Sequence, residues 1–218
     1  MIRKPSGVKN PARSRNAAVS TTVAATQDRT IRSRSGLRVS VKIAHSTPSP
    51  AANAARAAAH ATNFTAKHES RTYKLGAQRL AYPDNHIEVD NRLAWWTGKL
   101  DTTFGDAPYF VHLTRDKAEV TKSYVARKGY GLIKAYREAI LCNIVLRAPD
   151  TDMGLIAGDM IDTITANIDF FLRDKSKVMH MQVETMDRDF PAFWNWIGAK
   201  GDLSAAMAEW NVRHNASK

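Results

Sequence analysis

Apolar and polar residues alternate over residues 37–44 (LRVSVKIA), at the period of a half-buried strand. STPSPAA at 46–52 then reads as a turn, and the alanine-rich stretch over 51–61 as a helix of high intrinsic propensity. Further on, 107–114 (APYFVHLT) is a short apolar run rich in β-branched and aromatic residues, which predicts a buried strand broken by Arg115 and Asp116. A helix follows it, with Glu119, Val120, Ser123, Tyr124 and Arg127 at spacings of three and four. Gly129 and Gly131 separate that helix from one predicted over 132–146, which Pro149 and Asp150 close. Ile156, Met160, Ile161, Ile164, Ile168 and Phe171 mark a long helix over 153–172, VMHMQV at 178–183 another strand, and helices over 189–197 and 202–214 complete the series.

Strands separated by helices, without hairpin signals, predict an α/β fold with a central parallel sheet flanked by helices. Ligands of such sheets bind beyond the carboxyl ends of the strands. That directs attention to the 46–52 loop, to Lys67-His68-Glu69, to Thr114-Arg115-Asp116 and to Glu184-Thr185.

Charge divides the chain unevenly. The 218 residues carry 32 Lys and Arg against 21 Asp and Glu, a formal charge of +11. Residues 1–66 hold eleven of those bases and one acid, Asp28, while every aromatic residue lies at or after Phe64. Leu37 is the only leucine in the first 60 residues, so this segment lacks the apolar surface to offset its ordering entropy. Residues 1–36 are therefore expected to form a disordered basic tail. A basic arm for phosphate backbones, an Arg- and Ser-rich transit peptide, and a wrong start site or shifted reading frame remain three readings of it. The absence of stacking aromatics argues against nucleic acid as partner. No run of about 18 apolar residues offers a membrane span, so no integral membrane contact is expected. A single cysteine, Cys142, forms no internal disulfide and fits a reducing, cytoplasmic setting; it is expected to be buried and inert in an apolar helix. His86, His112 and His180 have no metal-like spacing, and no metal is expected. The five tryptophans and Met179, Met181 and Met186 read mostly as packing residues.

YFVHLTRDKAEVTKSYVAR (109–127) resembles the second nucleotide-binding motif of the sulfotransferases that use 3′-phosphoadenosine 5′-phosphosulfate (PAPS): a hydrophobic strand, Arg-Asp, and a serine eight residues after the arginine. DNHIEVDNRLAWWTGKLDTTFG (84–105) and FPAFWNWIGAKGDLSAAMAEWNVRHNAS (190–217) are similar to bacterial members of that family, so the resemblance covers about residues 64–217. It implies a three-layer, P-loop-NTPase-like domain over 37–218, with PAPS as co-substrate and an alcohol or amine acceptor, whether carbohydrate, lipid or small metabolite. Arg115 and Ser123 would hold the 3′-phosphate of PAPS, and Glu69, with His68 as second choice, would take the acceptor's proton. Spacing alone supplies a physical reason for the first pair. A strand delivers Arg115 to the sheet edge, the N-terminus of the following helix favours an anion, and Ser123 lies two turns along the same face. Glu88 and Asp90 are expected to shape the acceptor site or to form an Asp–Arg structural pair. The chain departs from the family at the first loop. A [Lys/Arg]-[Ser/Thr]-Gly-[Ser/Thr]-[Ser/Thr] sequence should cradle the phosphosulfate, whereas Pro48-Ser49-Pro50-Ala51-Ala52 offers neither cation nor glycine. Two alternatives stand: a transferase whose loop is lost from this sequence, or a degenerate, non-catalytic nucleotide-binding member.

Overall fold

β-Branched and aromatic runs become strands and apolar stripes become helices in a computed structural model that describes residues 39–44 and 48–211. The expectations for the 1–36 tail and for residues 212–214 of the last helix lie outside the described residues. In chain order the elements are β1 (Val39–Ala44), α1 (Pro48–Ala58), β2 (Thr65–His68), β3 (His86–Val89), α2 (Thr97–Phe104), β4 (Tyr109–Thr114), α3 (Lys117–Ala126), α4 (Gly131–Ala135), α5 (Ile144–Arg147), α6 (Met153–Leu172), β5 (Val178–Gln182), α7 (Met186–Trp196) and α8 (Leu203–Ala208).

The five strands form one parallel sheet in the order β2-β3-β1-β4-β5. Register sets Lys42 opposite Val89, Ala44 opposite Leu113 and His112 opposite His180. The connection through α1 carries the chain from β1 out to β2, two places to one side. The β3–β4 connection brings it back past β1 to the other side, so the direction of travel reverses at the carboxyl ends of β1 and β4. That reversal opens a crevice at the strand ends.

Alternating side chains divide the core into two layers, one on each face of the sheet. Ile87, Val89, Val111, Leu113 and Met181 pack with the alanines of α1 and with Phe190, Phe193 and Trp194 of α7. On the opposite face Phe110 packs with Leu100, Val120, Tyr124 and the Ile156–Ile168 stripe of α6. Asp152 starts α6 by accepting hydrogen bonds from the N–H groups of Gly154 (2.7 Å) and Leu155 (3.2 Å), so this helix has the bounds its periodicity predicts. Trp194 is buried, Trp196 and Trp210 pack against the first core and Trp95 against the second, while Trp96 lies under Arg79, 4.9 Å from its guanidinium carbon. The chain after α1 is tied to the far end of the sequence, where Thr62 N–H donates to Lys200 O (2.7 Å) and Ala61 bridges Gly201. Gly201 has φ +133°, and a Cβ there would lie 2.2 Å from His60 O, so no other residue fits.

Several expectations need correction. Helix α1 begins at Pro48, three residues before the predicted start, and ends at Ala58, because proline is compatible with a first helical turn. Strand β3 was not expected: its four residues are all buried, Glu88 among them, so no alternation shows in the sequence. The single helix predicted over 132–146 is broken into α4, a π-helical turn at Tyr136–Ile140, and α5. Cys142 and Asn143 both take left-handed φ angles, 50° and 56°, at that break. Cys142 is consequently exposed rather than buried. Strand β5 ends at Gln182, α7 runs three residues earlier than predicted at its start, and α8 stops at Ala208 before a 3₁₀ turn at Glu209–Asn211.

Candidate functional site

Strand β4 ends at Thr114 and Arg115 follows at the sheet edge. Asp116 then caps α3, its carboxylate accepting from the N–H of Glu119 at 3.0 Å, while its own N–H donates to the Glu184 carboxylate at 3.0 Å. Arg115, Glu119, Ser123 and Arg127 recur every four residues and so share one face of the helix. Arg115 Nη2 lies 3.5 Å from Glu119 Oε2, and Ser123 Oγ accepts a hydrogen bond from Arg127 Nη2 at 2.8 Å. Arg127 Nε also donates to the Ser123 carbonyl (3.1 Å). A hydrogen bond from Lys122, 2.8 Å away, holds the Glu119 carboxyl below the usual range. These contacts are partly exposed, and such pairs contribute only about 0–1 kcal/mol.

The neighbouring junction between β1 and α1 is built from different residues. Pro48 and Pro50 fall within the first three positions of α1, and neither has an N–H. A helix N-terminus attracts an anion through its free N–H groups, so this one retains a fraction of that capacity. No Lys or Arg stands among Pro48-Ser49-Pro50-Ala51-Ala52. The residues present do not fit the phosphosulfate end of PAPS, and at the β4–α3 junction the Asp116 and Glu184 carboxylates already take up two of the N–H groups that were expected to favour an anion.

At the ends of β2 and β3 the chain forms a cleft of about 170 Å³, lined by His68 and Glu69 from one strand end, Asn91 and Arg92 from the next, and Tyr124 and Arg127 from α3. Glu69 turns the chain sharply, with φ 50° in the left-handed region that side chains disfavour. Its carboxylate is ion-paired with Arg92, and Glu69 Oε1 lies 3.8 Å from His68 Nε2. A buried relay behind the cleft fixes these groups. Arg79 donates to Asp90 at 2.5 Å, Asp90 accepts the Arg92 N–H at 2.8 Å, and Arg92 holds Glu69. Burial pushes the Asp90 carboxyl up, against the downward pull of Arg79. Glu88, fully buried, accepts from Ser70 N–H and Oγ, both at 2.6 Å, and lies 3.0 Å from His86 Nε2; the other His86 nitrogen is 2.7 Å from Thr65 Oγ1.

The structure thus brings His68 and Glu69 together in the cleft and sets Arg115 and Ser123 along one helix face, with Arg127 joining the two places. Asp90 forms the expected Asp–Arg pair, with Arg79 as its partner, and Glu88 supports the turn at Ser70 from beneath. Sequence reasoning missed Arg79, Asn91, Tyr124 and Arg127 as parts of the site; the spacing of four from Ser123 was the one signal for Arg127. His112 and His180 are strand residues with ring centroids 5.6 Å apart, and among the described residues no group of three His, Cys, Asp or Glu side chains is arranged to hold a metal. No helix among the described residues is long and apolar enough to cross a membrane. No protein family, no curated protein and no solved structure matches the chain.

Proposed function

We propose that the chain is a sulfotransferase-like protein of three-layer, P-loop-NTPase-like architecture, which takes PAPS as donor and an alcohol or amine as acceptor in a reducing, cytoplasmic compartment. The observation that carries this reading is the placement of Arg115 and Ser123 on one face of the helix that leaves β4, beside the reversal of an all-parallel β2-β3-β1-β4-β5 sheet. A guanidinium and a hydroxyl at such a crevice suit the 3′-phosphate of the donor. Glu69, with His68 beside it, lines the adjacent cleft and is the group to take the acceptor's proton. The transfer as proposed asks for no metal.

A second reading is favoured by Pro48 and Pro50: a member that holds the nucleotide and does not transfer, because the phosphosulfate end finds neither a cation nor a full set of N–H donors. Calorimetry with adenosine 3′,5′-bisphosphate and turnover of radiolabelled PAPS separate the two. Binding with turnover supports the transferase, and binding without it the non-catalytic member. Arg115→Ala should weaken the bisphosphate at least tenfold, about 1.4 kcal/mol. Wild-type affinity in that variant, or no binding to the wild-type chain, overturns both.

A further inference from the structure

Arg127 stands half-buried in the cleft with no carboxylate partner among the described residues. Its bonds run to the hydroxyl and carbonyl of Ser123, and its guanidinium carbon lies 5.5 Å from the centre of the Tyr124 ring. Most of the other arginines near the site are matched by an acid: Arg79 by Asp90, Arg92 by Glu69, Arg115 by Glu119. The Glu69–Arg92 pair neutralises itself, which leaves the cleft one positive charge in surplus. Burial presses the Arg127 guanidinium below its ordinary pKa. On the opposite wall Asn91, only 7% exposed, keeps its Oδ1 shielded from solvent without a hydrogen-bond partner. His68 Nε2 is likewise shielded and unbonded. A half-buried cation is seldom left unbalanced unless something else completes it.

We propose that the acceptor taken by this cleft is anionic: a polyol or amino alcohol bearing a carboxylate or phosphate, with Arg127 as its counter-ion and Asn91 on the facing wall. A carboxylate or phosphate fits the open edge of the guanidinium fork left by the two bonds to Ser123. The cleft, about 170 Å³, has space for the acidic group and the carbons next to it. The inference rests on the reading of this cleft as the acceptor site, and it narrows the acceptor to acidic molecules.

The test is calorimetry on the full chain with three probes of one carbon skeleton: glycerol, glycerate and glycerol 3-phosphate. Glycerate or glycerol 3-phosphate should bind at least tenfold more tightly than glycerol, and which of the two binds better identifies the anion. Arg127→Gln should remove the preference, bringing glycerate and glycerol 3-phosphate to the affinity of glycerol. Should that variant fail to fold by circular dichroism, Asn91→Asp supplies the same test: it keeps the volume, adds a negative charge and should abolish the preference. Equal binding of all three probes, or a preference that survives in a folded variant, overturns the proposal. So does displacement of the probe by adenosine 3′,5′-bisphosphate, which would put the anion in the nucleotide's phosphate pocket. Bisphosphate binding without any anion preference leaves the nucleotide reading standing and removes this one; the reverse result removes the nucleotide reading alone.

Discussion

Strands β1 and β4 lie side by side, Ile43 opposite His112 and Ala44 opposite Leu113, and each leads within a few residues to a helix. The backbone plan is the same, and the residues at the two turns are not. After β4 come an arginine, an aspartate that caps the helix and, two turns on, a hydroxyl bonded to a second arginine. After β1 the helix opens with two prolines and a run of alanines that serve the core: Ala51, Ala54, Ala55, Ala57 and Ala58 are all buried. A parallel sheet creates the location for an anion at every such junction; the side chains and N–H groups placed there decide whether the location is used. The difference shows how one chain can place an arginine and a carboxylate-capped helix after one strand and two prolines after the next.

The largest expected effect that sharpens this contrast concerns stability. β4 carries His112 into the interior, whereas β1 (VSVKIA) has no group that titrates below pH 7. Burial, with help from His180 and against Asp169, lowers the His112 pKa from 6.5 to about 4. Between those values the unfolded chain binds a proton that the folded chain refuses, so stability is full above pH 6.5 and is lost as the pH falls towards 4. At about 1.4 kcal/mol per pKa unit the loss is of order 3 kcal/mol. Urea unfolding at pH 7, 5.5 and 4.5 should show this slope, and His112→Leu should flatten it; an unchanged slope would assign the effect elsewhere.

Rebuilding the poorer junction is the next test. Pro48→Lys with Pro50→Gly restores a cation and an N–H donor where α1 begins, and turnover of PAPS should rise about a hundredfold, the lower end of what single oxyanion donors supply. A folded double variant no faster than the parent would show that the two junctions differ by more than these groups. The smallest effect is at the richer junction. Asp116→Ala removes the bond to Glu119 N–H and should lower stability by about 1 kcal/mol, seen as a fall in the urea midpoint at constant slope. No change would mean that α3 is held by its packing on α6 alone.

Legibility of the chain followed the nature of each signal. Strand β4 and helix α6 could be placed because their apolar patterns are clear and breakers bound them, Arg115-Asp116 after the one and Pro149-Asp150 before the other. Strand β3 escaped notice because Glu88 occupies a core position made tolerable by Ser70 and His86, partners 18 and 2 residues away that only the folded chain assembles. The break at Cys142 was hidden for another reason: asparagine tolerates the left-handed region, but nothing in Leu141-Cys142-Asn143 announces that two consecutive residues adopt it. Among the candidate residues, His68, Glu69 and Arg115 stand out because they follow strands, whereas Ser123, two turns into α3, is picked out only by its spacing from Arg115 and by the resemblance. Arg127 and Asn91 acquire meaning only from the charges and donors they lack, which depends on neighbours distant in sequence.

The kink that turns Cys142 outward has a practical use. It is the only thiol in the chain and stands in solvent. The segment ahead of it, from Gly131 to Ile133, forms part of the cleft wall. A maleimide dye would attach at a single known position of the unaltered polypeptide.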